Sequence, residues 1–174
     1  MDAQSLYRVD RRTNLSEEDY VDAVNALNLD PETWSQRYME DQNSDVDFPT
    51  WAATIYERIR NSGPRLYWDT IDEWWERFAE DRNTELSFPE WLLDIYNRIN
   101  NYGPRLYWDT IDEWWNRYQR DRFTDDPFNE WLLDIYNRIN NYGPRLSWDQ
   151  IDQVWEQYVS SFSEYSFVDF ALDR

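Results

Sequence analysis

The chain repeats itself at an interval of 40 residues, and no other feature of the sequence limits the possible folds as strongly. Residues 67–106 recur as residues 107–146 with 31 identities. A more diverged copy covers residues 27–66, and a partial copy begins at residue 147. Internal repeats of this length are typical of supersecondary units that stack on their neighbours, because one such unit cannot bury its apolar face alone.

Each repeat predicts two helices joined by a short loop. In residues 67–106, the apolar residues recur at helical spacing in two segments. These are Trp68, Ile71, Trp75 and Phe78 in the first segment, and Phe88, Trp91, Leu92, Ile95, Ile99 and Tyr102 in the second. Asp69 and Asp109 stand where a helix N-cap is expected. Gly103 and Pro104 predict a left-handed helix end followed by a residue that cannot continue the helix.

These patterns predict an all-α fold of tandem helical hairpins, stacked as a short solenoid with helical caps, in a single domain. Within residues 1–174, the predicted parts are an N-terminal cap helix (1–26), three helix-pair repeats (27–66, 67–106 and 107–146) and a partial C-terminal capping repeat (147–174). Ser16 is the expected N-cap of the N-terminal helix, which continues to about Leu27. Phe162, Phe167 and Phe170 predict a short second helix in the last repeat.

Aromatic residues must supply most of the hydrophobic core. A mean hydropathy of -0.99 together with a net charge of -19 is typical of disordered chains. The 12 Trp, 13 Tyr and 8 Phe change this expectation, because each buried aromatic ring removes a large apolar area from water. We therefore interpret paired tryptophans such as Trp74 and Trp75 as core residues, in preference to a ligand-stacking site.

Three residue types are absent from the sequence, and their absence excludes several classes of chemistry. The chain has no Cys and no His, and all 17 of its basic residues are Arg. Disulfides, Cys or His zinc sites, His-dependent nucleophiles and lysine Schiff bases are therefore impossible. Adjacent acids such as Asp125 and Asp126 lack the loop of a calcium site. The sequence predicts no enzyme and no catalytic, cofactor-binding or metal-ligating residues.

The excess of acidic residues predicts which partners the protein avoids. The 36 Asp and Glu residues outnumber the arginines throughout the chain, and such a surface repels phosphate groups. We expect no direct binding to nucleic acid and none to membranes. The sequence contains no apolar run of membrane-spanning length and no signal-peptide pattern at its start, so we expect a cytoplasmic protein. If the protein is viral, the host cytoplasm is the expected location.

Acidic residues on the first helix of each repeat suggest a function. Those predicted to bind a partner are Asp69, Asp72, Glu73, Glu76, Glu80, Asp109, Asp112, Glu113, Asp149, Asp152 and Glu156. Carboxylates at this density can imitate the phosphates of DNA. The sequence therefore predicts a DNA mimic that occupies the basic nucleic-acid-binding groove of a partner protein. A viral or mobile-element inhibitor of restriction or CRISPR defence is the expected context, and the chain shares small size and acidity with DNA-mimic inhibitors as a class.

Three other interpretations remain open at this stage. The acidic stripe fits a solvated helix face. A ridge of aromatic residues and asparagines, including Asn97, Asn100 and Asn101, fits a scaffold that binds another protein. Finally, abundant acid with arginine in place of lysine fits adaptation to a salt-rich cytoplasm. None of these patterns sets the oligomeric state.

Overall fold

A computed structural model describes residues 1–81 and 83–173, and the secondary structure in these ranges is entirely helical. The ten α-helices are α1 (Ala3–Val9), α2 (Glu17–Ala26), α3 (Pro31–Glu40), α4 (Phe48–Thr54), α5 (Trp68–Glu80), α6 (Phe88–Ile95), α7 (Trp108–Arg120), α8 (Phe128–Ile135), α9 (Trp148–Ser161) and α10 (Phe167–Leu172). Helices α4, α6 and α8 each continue into a π-helical segment, respectively Ile55–Arg60, Tyr96–Asn101 and Tyr136–Asn141. The all-α prediction is confirmed.

The N-terminal segment contains two helices where the sequence suggested one. Helix α2 agrees with the prediction, since the Ser16 side chain accepts a hydrogen bond from the Asp19 backbone N–H at 3.2 Å. Helix α1 precedes it and packs against it. Its N-cap is Asp2, whose carboxylate accepts from the Ser5 N–H at 2.7 Å. A seven-residue helix with one buried side chain, Leu6, is too short to show helical periodicity in the sequence.

The predicted N-caps of α5 and α7 are wrong. Helix α5 starts at Trp68, and the N-cap of α7 is Tyr107, which makes no side-chain capping bond. Asp69 and Asp109 instead lie in the first helical turn, where a negative charge interacts favourably with the helix dipole. The carbonyl of Tyr107 accepts the N–H of Ile111 at 2.9 Å, and this first bond fixes the start of the helix.

The Gly-Pro turns end the second helices as expected. Gly103 has φ +61°, and the next non-proline residue, Arg105, is also left-handed at φ 53°. The Arg105 N–H bonds to the Tyr102 carbonyl at 3.1 Å. Asn100 secures the turn from one side, because its amide nitrogen donates to the Leu106 carbonyl at 2.9 Å. Asn140 makes the same bond one repeat later, so these two asparagines hold the Gly-Pro turns.

The chain divides into two compact units, which are described separately. Unit 1 comprises residues 1–80 and 85–93, and unit 2 comprises residues 81–84 and 94–174. In unit 1, the Trp51 ring lies 5.9 Å from Trp34 and 6.4 Å from Trp75, measured between ring centroids. In unit 2, Trp114 lies 5.8 Å from Trp131. The interpretation of the tryptophans as core residues is confirmed, and the single-domain organisation stays a prediction.

The helices of the described residues are short, and most carry charged side chains. None of them combines the length and the apolar composition needed to cross a membrane.

Candidate acidic interface

Helix α5 carries five acids on the face opposite its core contacts. Its buried residues are Ile71, Trp74, Trp75 and Phe78. At 100° per residue, the five acids fall on the other side of the helix. All five are exposed, and we name them the α5 acidic row: Asp69, Asp72, Glu73, Glu76 and Glu80. The predicted stripe on this helix is therefore present as a solvent-facing row.

The corresponding acids of α7 and α9 form shorter rows. On α7, Asp109 and Glu113 are exposed and Asp112 is half-buried, and the row then stops because Asn116 and Arg120 replace acids. On α9, the predicted residues are Asp149, Asp152 and Glu156, of which Asp152 is half-buried. The acidic surface is therefore strongest on α5.

Two arginines partly neutralise these rows. Arg37 of α3 bonds to Asp72 at 2.7 Å, and Arg117 of α7 bonds to Asp152 at 2.6 Å. Each guanidinium also lies over an indole, 4.5 Å from Trp34 for Arg37 and 4.4 Å from Trp114 for Arg117. The two carboxylates remain about half exposed, so each pair contributes at most ~1 kcal/mol. The arginines are held mainly by their aromatic platforms and sit at the edge of the rows.

Five other arginines lie on the second helices or in the Gly-Pro turns, outside α5, α7 and α9. Arg98 bonds to Asp94 at 3.1 Å and to Glu130 at 3.0 Å, and Arg138 bonds to Asp134 at 3.1 Å. The three turn arginines, which are exposed and form no ion pair with any residue in the described ranges, are Arg65, Arg105 and Arg145. The charges of these five arginines therefore lie on the second helices and at the turns.

A set of buried carboxylates was not recognised from the sequence. Asp10, Asp41, Asp81 and Asp121 follow the ends of helices, and each is at most 6 % exposed. Asp121 shows the full pattern in unit 2. One of its oxygens, Oδ2, accepts from the Trp131 indole N–H at 2.8 Å and from the Phe167 backbone N–H at 2.9 Å. The other, Oδ1, accepts from the Tyr158 hydroxyl at 3.2 Å. Because Phe167 begins α10, this carboxylate also caps a helix N-terminus.

The same arrangement recurs at the other three positions. The backbone N–H groups of Phe48, Phe88 and Phe128 donate to Asp10, Asp41 and Asp81 at 2.8, 2.8 and 3.0 Å respectively. A signal was available in the sequence, since an aromatic N–H or O–H donor follows the aspartate by ten residues. Tyr20 donates to Asp10 at 2.7 Å and Trp51 to Asp41 at 2.9 Å. These acids contribute to the net charge without facing a partner.

Asp41 lacks the tyrosine hydroxyl donor that each of the other three buried aspartates has. Tyrosine hydroxyls donate to Asp10, Asp81 and Asp121, but Phe78 stands at the corresponding position for Asp41. Burial raises the pKa of Asp41, and hydrogen bonds from Phe88, Trp51 and Asn43 oppose that rise. By contrast, burial and then the charge of Asp121 raise the pKa of Tyr158, which keeps its hydroxyl protonated as a donor.

The acids do not assemble into a candidate metal site in the described ranges. No group of three or more potential ligands there has a geometry that could hold an ion. Asp125 and Asp126 are both exposed. Burial, followed by the charges of Asp134 and Glu130, raises the pKa of Asp126. Arg138 opposes this rise, so the neighbouring acids dominate the electrostatics around Asp126.

The exposed aromatic side chains are tyrosines and phenylalanines, because every tryptophan is buried or half-buried. Tyr102 and Tyr142 are each 62 % exposed, and Tyr107 is 81 % exposed, all of them next to Gly-Pro turns. An exposed tryptophan groove, which a scaffold function would favour, is not present.

Comparisons with protein-family models, with curated protein sequences and with solved structures find no match. The assignment of function therefore depends on the charges and contacts of this chain itself.

Proposed function

We propose that this protein is a non-enzymatic acidic decoy that occupies the basic nucleic-acid-binding groove of a partner protein. In this proposal, the helix-pair repeats stack as a short solenoid that presents carboxylates in place of DNA phosphates. The expected setting is the cytoplasm, where a virus or mobile element would use such an inhibitor against a restriction or CRISPR nuclease. The protein itself binds neither nucleic acid nor membranes.

The α5 acidic row carries this proposal. Its five carboxylates extend from residue 69 to residue 80, or about 17 Å along the axis at a rise of about 1.5 Å per residue. Their mean separation along the axis is about 4 Å, close to the ~3.4 Å of helix axis per phosphate on one strand of B-DNA. The opposite face of α5 is buried, so the row has one fixed orientation. Arg77 of the same helix lies at the edge of the row, with its guanidinium 4.4 Å from the centre of the Trp74 ring.

The distribution of arginines supports the same proposal. Arg98 and Arg138 are paired with acids on the second helices, and the turn arginines lie beyond the helix ends. Arg37 reaches one member of the α5 acidic row, Asp72, and leaves its carboxylate 51 % exposed. A basic groove can therefore approach the row without first displacing a buried ion pair.

A charge-matched pair of variants tests the proposal. The row variant combines Glu73→Gln, Glu76→Gln and Glu80→Gln, three exposed acids without an ion pair to any residue that the structure describes. The control combines Glu18→Gln, Glu57→Gln and Glu85→Gln, which are exposed acids outside the row. Both triple variants change the net charge from -19 to -16. The assay measures displacement of a fluorescent DNA duplex from purified restriction and CRISPR nucleases.

We expect the unmodified protein to displace DNA from at least one nuclease and the row variant to lose this activity. The control variant should retain it, because overall charge alone does not position carboxylates in a groove. Inhibition should also weaken steeply as salt is added. Equal loss in both variants, or a ternary complex of nuclease, DNA and this protein, would contradict the proposal.

The exposed tyrosines favour a second candidate, a helical-repeat scaffold whose acidity serves solubility or high-salt adaptation. Tyr102, Tyr107 and Tyr142 present large rings at the turns, and aromatic residues are enriched at protein interfaces. Replacing Tyr107 and Tyr142 by Ser would abolish partner binding by a scaffold and leave that of a decoy unchanged.

A further inference from the structure

A cleft in unit 1 has the opposite electrostatic character to the rest of the chain. It has a volume of about 420 Å³ and lies beside the last turn of α1 and the end of α3. Three arginines line it, namely Arg8, Arg11 and Arg12. Three guanidinium groups around one cleft are unexpected in a protein with a net charge of -19.

The one acid in the lining does not form ion pairs with these arginines. Asp10 is 6 % exposed, and its carboxylate accepts from the hydroxyls of Tyr20 and Tyr38 at 2.7 and 2.8 Å. It also accepts from the Phe48 backbone N–H at 2.8 Å. The Arg12 backbone N–H also donates to it, at 3.2 Å, so its oxygens are occupied by two hydroxyls and two backbone N–H groups. The three guanidiniums lie on the solvent side and have no ion-pair partner in the described ranges.

Arg12 has the most defined position of the three. Its guanidinium lies 5.3 Å from the centre of the Tyr38 ring, which is itself 1 % exposed. The neighbouring Tyr38 hydroxyl raises the pKa of Arg12. The Arg12 guanidinium is thus held against the Tyr38 ring in the absence of a ligand.

The chemistry of the lining indicates the class of ligand. Guanidinium groups bind the oxygens of phosphates and carboxylates in a planar, two-pronged geometry. The formal charges of the lining, three arginines and Asp10, favour an anion of up to two charges, although the nearby Asp41 also acts on Arg12. Val9 and Met39 add an apolar wall and are 43 % and 46 % exposed.

We propose that this cleft binds a doubly charged oxyanion, phosphate or carboxylate, that carries a small apolar group. The oxyanion lies among Arg8, Arg11 and Arg12, and the apolar group lies against Val9 and Met39. The site is separate from the α5 acidic row and does not depend on the decoy function.

Three probes separate the possible sources of the oxyanion. Phenyl phosphate carries a dianion and a ring, inorganic phosphate lacks the ring, and phthalate replaces phosphate by two carboxylates. Binding to the full chain is measured by calorimetry at low ionic strength, and backbone amide NMR shifts locate the ligand. We expect phenyl phosphate or phthalate to bind more tightly than inorganic phosphate, with shifts at residues 8–12 and 38–39.

The double variant Arg8→Gln and Arg11→Gln should weaken binding by about tenfold or more, since bonds from charged donors are lost. Arg58→Gln is the matched control, because Arg58 is an exposed arginine of the same unit outside the cleft. It should leave affinity unchanged. No saturable binding of any probe, shifts elsewhere in the chain, or equal loss in the control would overturn the proposal. Tighter binding of phenyl phosphate than of phthalate would identify the ligand as a phosphate.

Discussion

Replacing Phe78 by Tyr should stabilise the protein by completing the set of donors around Asp41. The Phe78 ring centre lies 5.5 Å from that of Phe88, at an interplanar angle of 59°. Tyr118 lies 5.5 Å from Phe128 at 62°, and its hydroxyl reaches Asp81 at 3.0 Å. The rings are placed alike, so a hydroxyl on residue 78 will reach the free side of the Asp41 carboxylate.

The size of the gain follows from the bond that forms. A hydrogen bond to a charged group contributes ~1.5–3 kcal/mol. The added oxygen needs some room in a well-packed site, so the lower value, about 1.5 kcal/mol, is expected. For a chain of this length it raises the melting temperature by about 3–6 °C. The reverse change, Tyr118→Phe, should lower stability by a similar amount, because it removes the corresponding bond to Asp81.

The pH dependence distinguishes this bond from better packing. Burial raises the folded-state pKa of Asp41, so its ionisation costs stability above that pKa and the cost disappears as pH falls through it. The new hydroxyl favours the ionised carboxylate. The gain from Phe78→Tyr should therefore be full near neutral pH and shrink in acid. Urea unfolding at several pH values measures it. A gain that is absent at neutral pH, or independent of pH, would refute the assigned bond.

Three further outcomes are expected. Asp121→Ala leaves the buried N–H groups of Trp131 and Phe167 without acceptors, so it should lower the free energy of unfolding by ~2–6 kcal/mol. The control Asp125→Ala, at an exposed site, should change that free energy by less than ~0.5 kcal/mol, and urea unfolding measures both. Gly103→Ala should cost at least ~1–2 kcal/mol, because Gly103 has φ +61° and a Cβ would lie 2.5 Å from a backbone oxygen; an unchanged melting temperature would contradict this. Added monovalent salt should raise the melting temperature by screening the net charge of -19, and a fall would contradict a dominant role for self-repulsion.

The sequence predicted the features that depend on local periodicity. Ile71 and Trp75 at helical spacing placed the core face of α5, and this in turn placed Glu73 and Glu76 on the solvent side. Gly103 marked a left-handed turn because glycine adopts positive φ at little cost. Such signals lie within a few residues of one another, so they can be recognised without knowledge of the tertiary structure.

The features that sequence analysis missed depend on distant contacts. In the sequence, Asp121 cannot be distinguished from an aspartate on the surface. It is a buried acceptor because the backbone N–H of Phe167, 46 residues later, donates to it in the folded protein. The π-helical ends also escaped prediction, because their altered backbone bonding has no distinct residue pattern here. Helix α1 was missed because its Asp2 cap and single buried Leu6 are ordinary in any polar segment.

The buried aspartates have a consequence for how the length of this chain can change. Asp41 and Asp81 each accept from a phenylalanine N–H 47 residues further on, and Asp121 accepts from that of Phe167, 46 residues further on. Deleting or duplicating a whole 40-residue segment keeps every carboxylate in register with a phenylalanine N–H, whereas an insertion of any other length displaces the two. Recombination between the similar repeats 67–106 and 107–146 would add or remove one whole segment of 40 residues. We therefore expect variants of this gene to differ in length by multiples of 40 codons.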